Sequence, residues 1–552
     1  VNRTLVEQVV TWIAGDPDED DCAALREFVD ADNEFELERR FGAPLTFGTA
    51  GLRGPVMAGP AGMNRYTVRR TTQGVVAWMH EIGADPANGV VVGRDARRGS
   101  ETFNDEVVGV LLGAGVKVYE MPSALPTPLV AYCVKALGAA AGIMITASHN
   151  PPQDNGYKLY ASDGAQIISP NDEIVERYAA TSTTAVLADR SSPLHSYVDH
   201  DVLVAYRSHF VERFGVSEGS DLHIVYTPLH GVGGDFMMAL FAQAGFHEVT
   251  PVSAQFAPDA TFPTLPFPNP EETGALDLAT ACADGVGSDL VIANDPDADR
   301  LGAAVRSSSG WHLLRGDEIG WLLASALLPA MHSSHDVVAT TIVSSTMLRA
   351  MASAYGVRYA QTLTGFKWIS RAAGKDVLRF GYEEALGFAV DPLVADKDGM
   401  SAALALAHLA HSLALEGKSL LDRLDDIEAE FGVHATAQLS LRVEGPEGRS
   451  AIATSVDALR ERPPSSLGGI EVSNVVDLAH GYDGLAPTDG VLLTLGNAGR
   501  VVVRPSGTEA KLKAYIEVTS PPSGLAALPR QRHAAAAIVI NVRSDLEVIL
   551  RF

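Results

Sequence analysis

One pattern recurs three times in this chain: an apolar strand, a Gly- or Ser-containing turn, an amphipathic helix, then a short strand opening after Gly-Val or Gly-Phe. The first copy is GVVVGRDARRGS followed by AGVKVYEM, the second DLHIVYTPLHGVGG followed by AGFHEVTPV, the third DVVATTIVSSTML followed by YGVRYAQTL. Corresponding strands lie roughly 20–25 residues apart, the length of a short β-α-β unit. Repetition at that spacing predicts three α/β domains of similar build. One large α/β sheet is the alternative, but the acidic and Pro-rich breaks between copies favour separate domains. With 552 residues the chain is too long for a single core and long enough for roughly three to five domains.

Turn chemistry divides the chain at 1–205, 206–315, 316–432 and 433–552. The first helical pattern ends between Ser191 and Asp201, and a Ser/Gly turn from Ser307 to Gly316 precedes a helix beginning near Asp317. At Gly432 the last helical run gives way to alternating strands, QLSLRVEG and RVVVRPSG, which predict a smaller α+β unit. The tail opens with PPSG after Ser520 and continues as an Ala-rich helix.

Hydrophobic residues make up 46% and charged residues 20%, a globular composition. The net charge of −26 argues against nucleic acid or an anionic membrane as partner. It leaves room for an anionic substrate, provided that arginines, backbone N–H groups or a metal make the site locally positive. Cys22, Cys133 and Cys282 are widely spaced and odd in number, which suits a reducing cytosol rather than a disulfide scaffold. The first residues turn acidic before any long apolar run, unlike a signal peptide. The apolar stretch from Ile319 to Met331 falls short of the roughly 20 residues a membrane helix needs. A soluble cytoplasmic protein is expected.

Five motifs carry chemistry. Asn294-Asp295-Pro296-Asp297-Ala298-Asp299-Arg300 follows the buried-strand pattern DLVIA. Three carboxylates at alternate positions repel one another unless a divalent cation joins them, and hard oxygen donors suit Mg²⁺ or Ca²⁺. An EF-hand would need Gly and Glu where Arg300 and Arg306 stand. Thr146-Ala147-Ser148-His149-Asn150-Pro151-Pro152 follows the apolar run AAAGIMI, which sets Ser148 just past a strand end. A hydrolase elbow, GxSxG, is missing, so phosphoryl chemistry near a metal suits this serine better. Lys158, in NGYK, could neutralise a transferring phosphoryl or serve as acid/base. Phe47 to Gly54, FGTAGLRG, combines glycines with Arg53, and Arg504-Pro505-Ser506-Gly507-Thr508-Glu509 combines an arginine, two hydroxyls and a turn, a good phosphate cradle. In GYEEALG, Glu383 and Glu384 could accept hydrogen bonds from vicinal sugar hydroxyls, with Asp396-Lys397-Asp398-Gly399 downstream. His230-Gly231-Val232-Gly233-Gly234 mimics a dinucleotide loop, but Phe236 stands where a small residue is required, so that reading is set aside and His230 is taken as structural.

Together these motifs resemble the α-D-phosphohexomutase superfamily over nearly the whole chain, from about Thr46 to Val518. TASHNPP resembles its phosphoserine loop, DPDADR its metal loop, YEEALG its sugar loop and RPSGTE its distal phosphate loop, in the family's order. The resemblance implies a four-domain α/β architecture, three similar α/β domains plus a smaller C-terminal α+β domain around a central cleft. It implies a phosphosugar mutase of the phosphomannomutase/phosphoglucomutase type, working through a phosphoserine and a sugar bisphosphate. By the same resemblance Ser148 is the phosphorylated carrier and His149 its neighbour, and Arg53 and Lys158 stand near proton transfer. Asp295, Asp297 and Asp299, with the Ser148 phosphate, hold one Mg²⁺ per chain. Glu383, with Glu384, reads the sugar, and Arg504, Ser506, Gly507 and Thr508 hold the non-reacting phosphate. Arg300 and Lys367, the latter in TLTGFKWI, fall at family positions near the substrate. A sugar bisphosphate is the implied activator and a phosphosugar the implied partner.

Many hexose mutases carry serine where Ala385 stands. That departure, with DKDG and TLTGFKW, looks like the phosphoglucomutase-2/phosphopentomutase branch, so a pentose phosphate is an alternative substrate. A bisphosphate synthase or phosphatase would carry nearly the same motifs. A non-catalytic sugar-phosphate sensor would be expected to lose the serine or the aspartates, and both are present.

Overall fold

The structure, a computed structural model, describes residues 2–182, 185–216, 220–442, 448–506 and 511–550. Among the described residues four sheets form, each from a contiguous stretch of sequence. The chain divides into two compact units: Val1–Leu313 with Leu393–His408, and Leu314–Pro392 with Leu409–Phe552.

The three repeats are present and share one topology. In the first, strand Val90–Arg94 pairs in parallel with Val118–Glu120 on one side and Ala141–Ile145 on the other. In the second, Ile224–Thr227 lies between Val249–Pro251 and Leu290–Ala293. In the third, Asp336–Thr341 lies between Arg358–Thr362 and Val377–Glu383. Each third strand is then joined by an antiparallel fourth: Asp154–Ala161, Gly302–Ser307 and Gly387–Ala389. Strands such as AGIMI and LVIA are buried at every position, as expected of parallel strands covered on both faces. The connecting helices include Ser100–Gly113, Gly234–Gln243 and Met347–Ala354.

The order strand-helix-strand, strand, antiparallel strand therefore produces the same loop three times, between the third and fourth strands. The Ser148, Asp295–Asp299 and Glu384 motifs each occupy it. Each of these loops also holds one non-glycine residue in the left-handed region: Ser148 at φ 53°, Ala298 at 54° and Leu386 at 62°. That conformation costs roughly 1–2 kcal/mol for an L-residue and persists only where surrounding contacts hold it.

The fourth sheet, in the second unit, is antiparallel, with Val433–Arg442, Lys511–Ser520, Gly499–Pro505 and Val491–Leu495 adjacent in that order. Helices Gly448–Glu461 and Leu528–Ile549 contribute Ile452, Val456, Val539 and Val542 to a core with Val501, Val503 and Ile516. This is the expected C-terminal α+β unit with its Ala-rich final helix. Helix Gly316–Leu327 opens beside Asp317 as the Ser/Gly turn implied.

Before the first repeat stand three helices that the sequence reading left unassigned, Arg3–Gly15, Glu19–Asp30 and Glu34–Phe41. Their small core joins Val9, Trp12, Leu25 and Leu37 to Ala58 and Tyr66. Within 316–432, read from sequence as one domain, Leu393–His408 packs in the first unit. Among the described residues no helix is long and apolar enough to cross a membrane.

Candidate active site

The first unit gathers a buried charge cluster. Asp295, Asp297 and Asp299 lie on the loop after strand Leu290–Ala293, each fully buried, with one oxygen from each within 4.8 Å of the others. Ser148 is equally buried, and its Oγ donates to Asp295 Oδ2 at 2.8 Å. Lys158, facing inward from the antiparallel strand Asp154–Ala161, donates to Asp297 Oδ2 at 2.7 Å and to Asp299 Oδ2 at 2.5 Å. Thr127 Oγ1 donates to Asp297 Oδ2 at 2.6 Å.

The electrostatics follow from this packing. Burial, then the charges of Asp297 and Asp299, push the Asp295 carboxyl up to about 8. For Asp299 burial acts the same way, but the ammoniums of Lys158 and Lys397 and the Arg300 guanidinium outweigh it and hold the carboxyl well below its ordinary range. For Asp297 burial and Asp299 likewise push upward, and Lys158 and Thr127 outweigh them. Two buried carboxylate oxygens, Asp297 Oδ1 and Asp299 Oδ1, have no hydrogen-bond partner. Arg300 Nε stands 4.0 Å from the latter. Orphaned hard oxygens beside a carboxyl whose charge is disfavoured make a donor set that a small divalent cation fits.

The remaining sequence-predicted residues of this unit are close by. Arg53, on strand Leu52–Pro55, pairs across from Gly156 and donates through Nη1 to Asn150 Oδ1 at 3.2 Å. His149 has a buried, unpartnered Nδ1, and burial together with Arg300 and Arg53 lowers its pKa well below the usual imidazole value, so the ring is neutral at pH 7. Arg300 lies 3.5 Å from Glu271 and 3.9 Å from Asp295.

Lys367, Glu383, Glu384, Arg504 and Ser506 belong to the second unit. Glu383 ends its strand opposite Gly387. Glu384 is partly engaged by protein, since its Oε2 accepts from Ser344 Oγ at 2.8 Å. Loop 344–346 is in turn tied to the fourth sheet by Glu517, which accepts from Ser345 Oγ at 2.8 Å and from Arg500 Nε at 2.9 Å. Arg504 lies on strand Gly499–Pro505, paired across from Lys513, and the N–H of Ser506 donates to the Lys511 carbonyl at 2.8 Å. Gly507 and Thr508 lie outside the described residues.

Lys397 was not expected here. Its Nζ lies 3.1 Å from Asp299 Oδ2. Gln166 Nε2 donates to Asp396 Oδ2 at 2.8 Å and Tyr206 Oη to Asp398 Oδ2 at 2.7 Å, so the residues on both sides of Lys397 are held. A side chain at Gly399 would come within 2.2 Å of the Arg300 carbonyl, so only glycine lets this segment lie against the Asp loop. The DKDG motif was visible in the sequence, but nothing in its position linked it to aspartates about a hundred residues upstream. Thr127 carried no signal at all. The glycines after His230 serve packing: Gly231 presses on Pro296, and Val232 N–H donates to the Pro296 carbonyl at 2.8 Å.

Models of the phosphoglucomutase/phosphomannomutase family match the chain in four pieces: α/β/α domain I at residues 44–185, domain II at 204–310, domain III at 315–431 and the C-terminal domain at 470–532. The chain belongs to that family, whose members are phosphosugar mutases. It is 38% identical over 461 residues to a Haemophilus influenzae protein named probable phosphomannomutase, covering 83% of this chain and 93% of the relative. It is 36% identical over 571 residues to the phosphopentomutase of Mus musculus, covering 95% and 91%. The crystal structure of the Paramecium phosphoglucomutase parafusin in its open form has the same fold, with a TM-score of 0.71 at 16% identity over 92% of this chain and 96% of that one.

Proposed function

We propose that this chain interconverts the 1- and 6-phosphates of a hexose, with Ser148 as the phosphoryl carrier and a sugar bisphosphate as intermediate and activator. The observation that carries the reading is the Ser148 hydroxyl, buried and 2.8 Å from a carboxylate of the three-aspartate group. Phospho-Ser148 gives its phosphoryl to a free hydroxyl of the bound sugar monophosphate. The bisphosphate turns over, and Ser148 then takes the other phosphoryl. Asp295, Asp297, Asp299 and the Ser148 phosphate would hold one Mg²⁺, which neutralises charge on the transferring group.

The protein groups divide the remaining work. Arg53 keeps its proton and can only donate, and with Lys158 it stands near the proton transfer to and from the sugar hydroxyl. Neutral His149 adds no positive charge beside the carrier. Glu383 and Glu384 read the sugar hydroxyls, Arg504, Ser506, Gly507 and Thr508 hold the second phosphate, and Arg300 and Lys367 contact substrate. The reading includes a cytoplasmic location, in keeping with three unbridged cysteines.

A pentose phosphate is the second reading, favoured by Ala385 and by likeness to a phosphopentomutase over 95% of the chain. The test is a coupled mutase assay with Mg²⁺ and a bisphosphate primer, comparing kcat/KM for glucose, mannose and ribose 1-phosphates. Hexose preference is expected, and ribose preference would transfer the assignment to the second reading. Ser148→Ala should abolish turnover; full activity in that variant would sink the scheme.

A further inference from the structure

The motif GRDARRGS was read above only as a strand and turn, yet its Arg97 is among the most heavily bonded side chains of the first unit. Its guanidinium is buried, at 4% exposure. Nη2 donates to the carbonyls of Ser148 at 2.6 Å and Asn150 at 2.5 Å, and Nη1 to those of Pro151 at 2.9 Å and Asp154 at 3.2 Å. Four carbonyls of one loop therefore converge on one side chain. Asp95 holds that side chain from behind: its Oδ2 lies 3.4 Å from Arg97 Nε, while its Oδ1 accepts from the Arg97 N–H at 2.9 Å and from Ser100 Oγ at 2.6 Å. The ring of Phe262 covers the guanidinium face, 4.8 Å from Cζ.

We propose that Arg97 is a positioning residue that holds Ser148 in its left-handed conformation, and so aims Oγ at the Asp295 carboxylate. The inference rests on the reading of Ser148 as the phosphoryl carrier. Ser148, at φ 53°, has its carbonyl on Arg97 Nη2 and its Oγ on Asp295 Oδ2. Fixing the carbonyl on Nη2 restrains the backbone from which the hydroxyl projects. A planar fork with five donors can meet four fanned carbonyls, whereas an ammonium has three donors in a tetrahedral array. Lysine should therefore keep the charge and lose the geometry.

The experiment compares full-length wild type, Arg97→Lys, Asp95→Asn and Ser148→Ala, each saturated with Mg²⁺. Three quantities are read: steady-state turnover on whichever sugar 1-phosphate the wild type uses best, the rate at which Ser148 gains phosphate from the matching sugar bisphosphate by quenched intact-mass measurement, and the thermal midpoint. For Arg97→Lys we expect kcat and the Ser148 phosphorylation rate to fall together by about 100-fold, the scale of a misplacement of about 1 Å, with KM changed by less than about threefold. Asp95→Asn should show the same split at about tenfold. A folded Arg97→Lys with wild-type phosphorylation rate, or one altered in KM alone, overturns the proposal. If Arg97→Lys does not fold, Asp95→Asn decides in the same way. Turnover surviving in Ser148→Ala overturns the carrier reading itself, an outcome distinct from an inert Ser148→Ala beside an unaffected Arg97→Lys.

Discussion

The Ser148 loop and the Asp295–Asp299 loop leave equivalent strands of two copies of one fold, and each bends through one left-handed residue. They are held in different ways. The Asp loop is braced mainly from within: Ala298 N–H donates to the Asp295 carbonyl at 2.8 Å, Arg300 N–H to Asp295 Oδ1 at 3.1 Å, and Asn294 Nδ2 to the Arg300 carbonyl at 2.6 Å. The Ser148 loop has internal bonds as well, Ser148 N–H to Thr146 Oγ1 at 2.8 Å and Asn150 N–H to the Ala147 carbonyl at 3.1 Å, but the carbonyls of Ser148 and Asn150 both go to one cation outside the loop, Arg97. A loop that presents three like charges needs rigidity even when those charges are uncompensated, and short-range bonds supply it. The third copy, the turn after Glu383, is only three residues long and leans on Ser344.

The largest effect expected from this contrast is on Asp297→Asn. Turnover should fall on the order of 10³-fold, and added Mg²⁺ should raise the thermal midpoint less than it does in wild type. An unchanged response to Mg²⁺ would remove Asp297 from the donor set. Next is Lys158→Met, which takes the ammonium shared by two buried carboxylates and should cost about 3–5 kcal/mol in metal-free urea unfolding. Mg²⁺ should recover more stability in this variant than in wild type; equal recovery would mean that ammonium and metal do not share the same charges. Asn294→Ala, which cuts the internal brace of the Asp loop, should weaken Mg²⁺ binding by about 10–100-fold in calorimetric titration. Affinity equal to wild type would break the claim that this loop braces itself.

The last effect, on stability and not on turnover, concerns the third copy. Burial, chiefly, raises Asp317 to about 6, and its Oδ1 accepts from both Ser345 N–H and Tyr382 Oη, bonds that an asparagine oxygen can keep. A carboxyl whose pKa is higher folded than unfolded costs stability above the folded value, and that cost fades as pH falls from about 6 toward 4. Asp317→Asn should therefore be more stable than wild type by about 3 kcal/mol at pH 8 and nearly equal to it at pH 4. A constant difference across that range would assign the effect to packing.

Much of this was legible in the sequence because each repeat announces itself by a short apolar run and a Gly-Val or Gly-Phe restart, and because DPDADR and TASHNPP stand where strands end. The common address of the motifs was not legible, since the antiparallel fourth strand is as short as Gly387–Ala389 and has no pattern of its own. Lys397 escaped because its neighbours in space are far away in sequence, and Arg97 because an arginine that donates chiefly to backbone carbonyls looks in sequence like any solvated arginine. Glu384 was read as a sugar contact, and the structure adds that its Oε2 accepts from Ser344 Oγ.

The return of Leu393–His408 to the first unit has a consequence for synthesis and for genetics. A ribosome that has released residues 1–313 has delivered every aspartate of the charge cluster and Lys158, but not the second ammonium, which emerges about eighty residues later. The nascent first unit must wait with an incomplete set of countercharges. For the same reason, no single cut in the gene separates the two units, and in a fragment ending at residue 313 the Asp299 carboxyl, without the second ammonium, should take up its proton at a higher pH than in the whole chain.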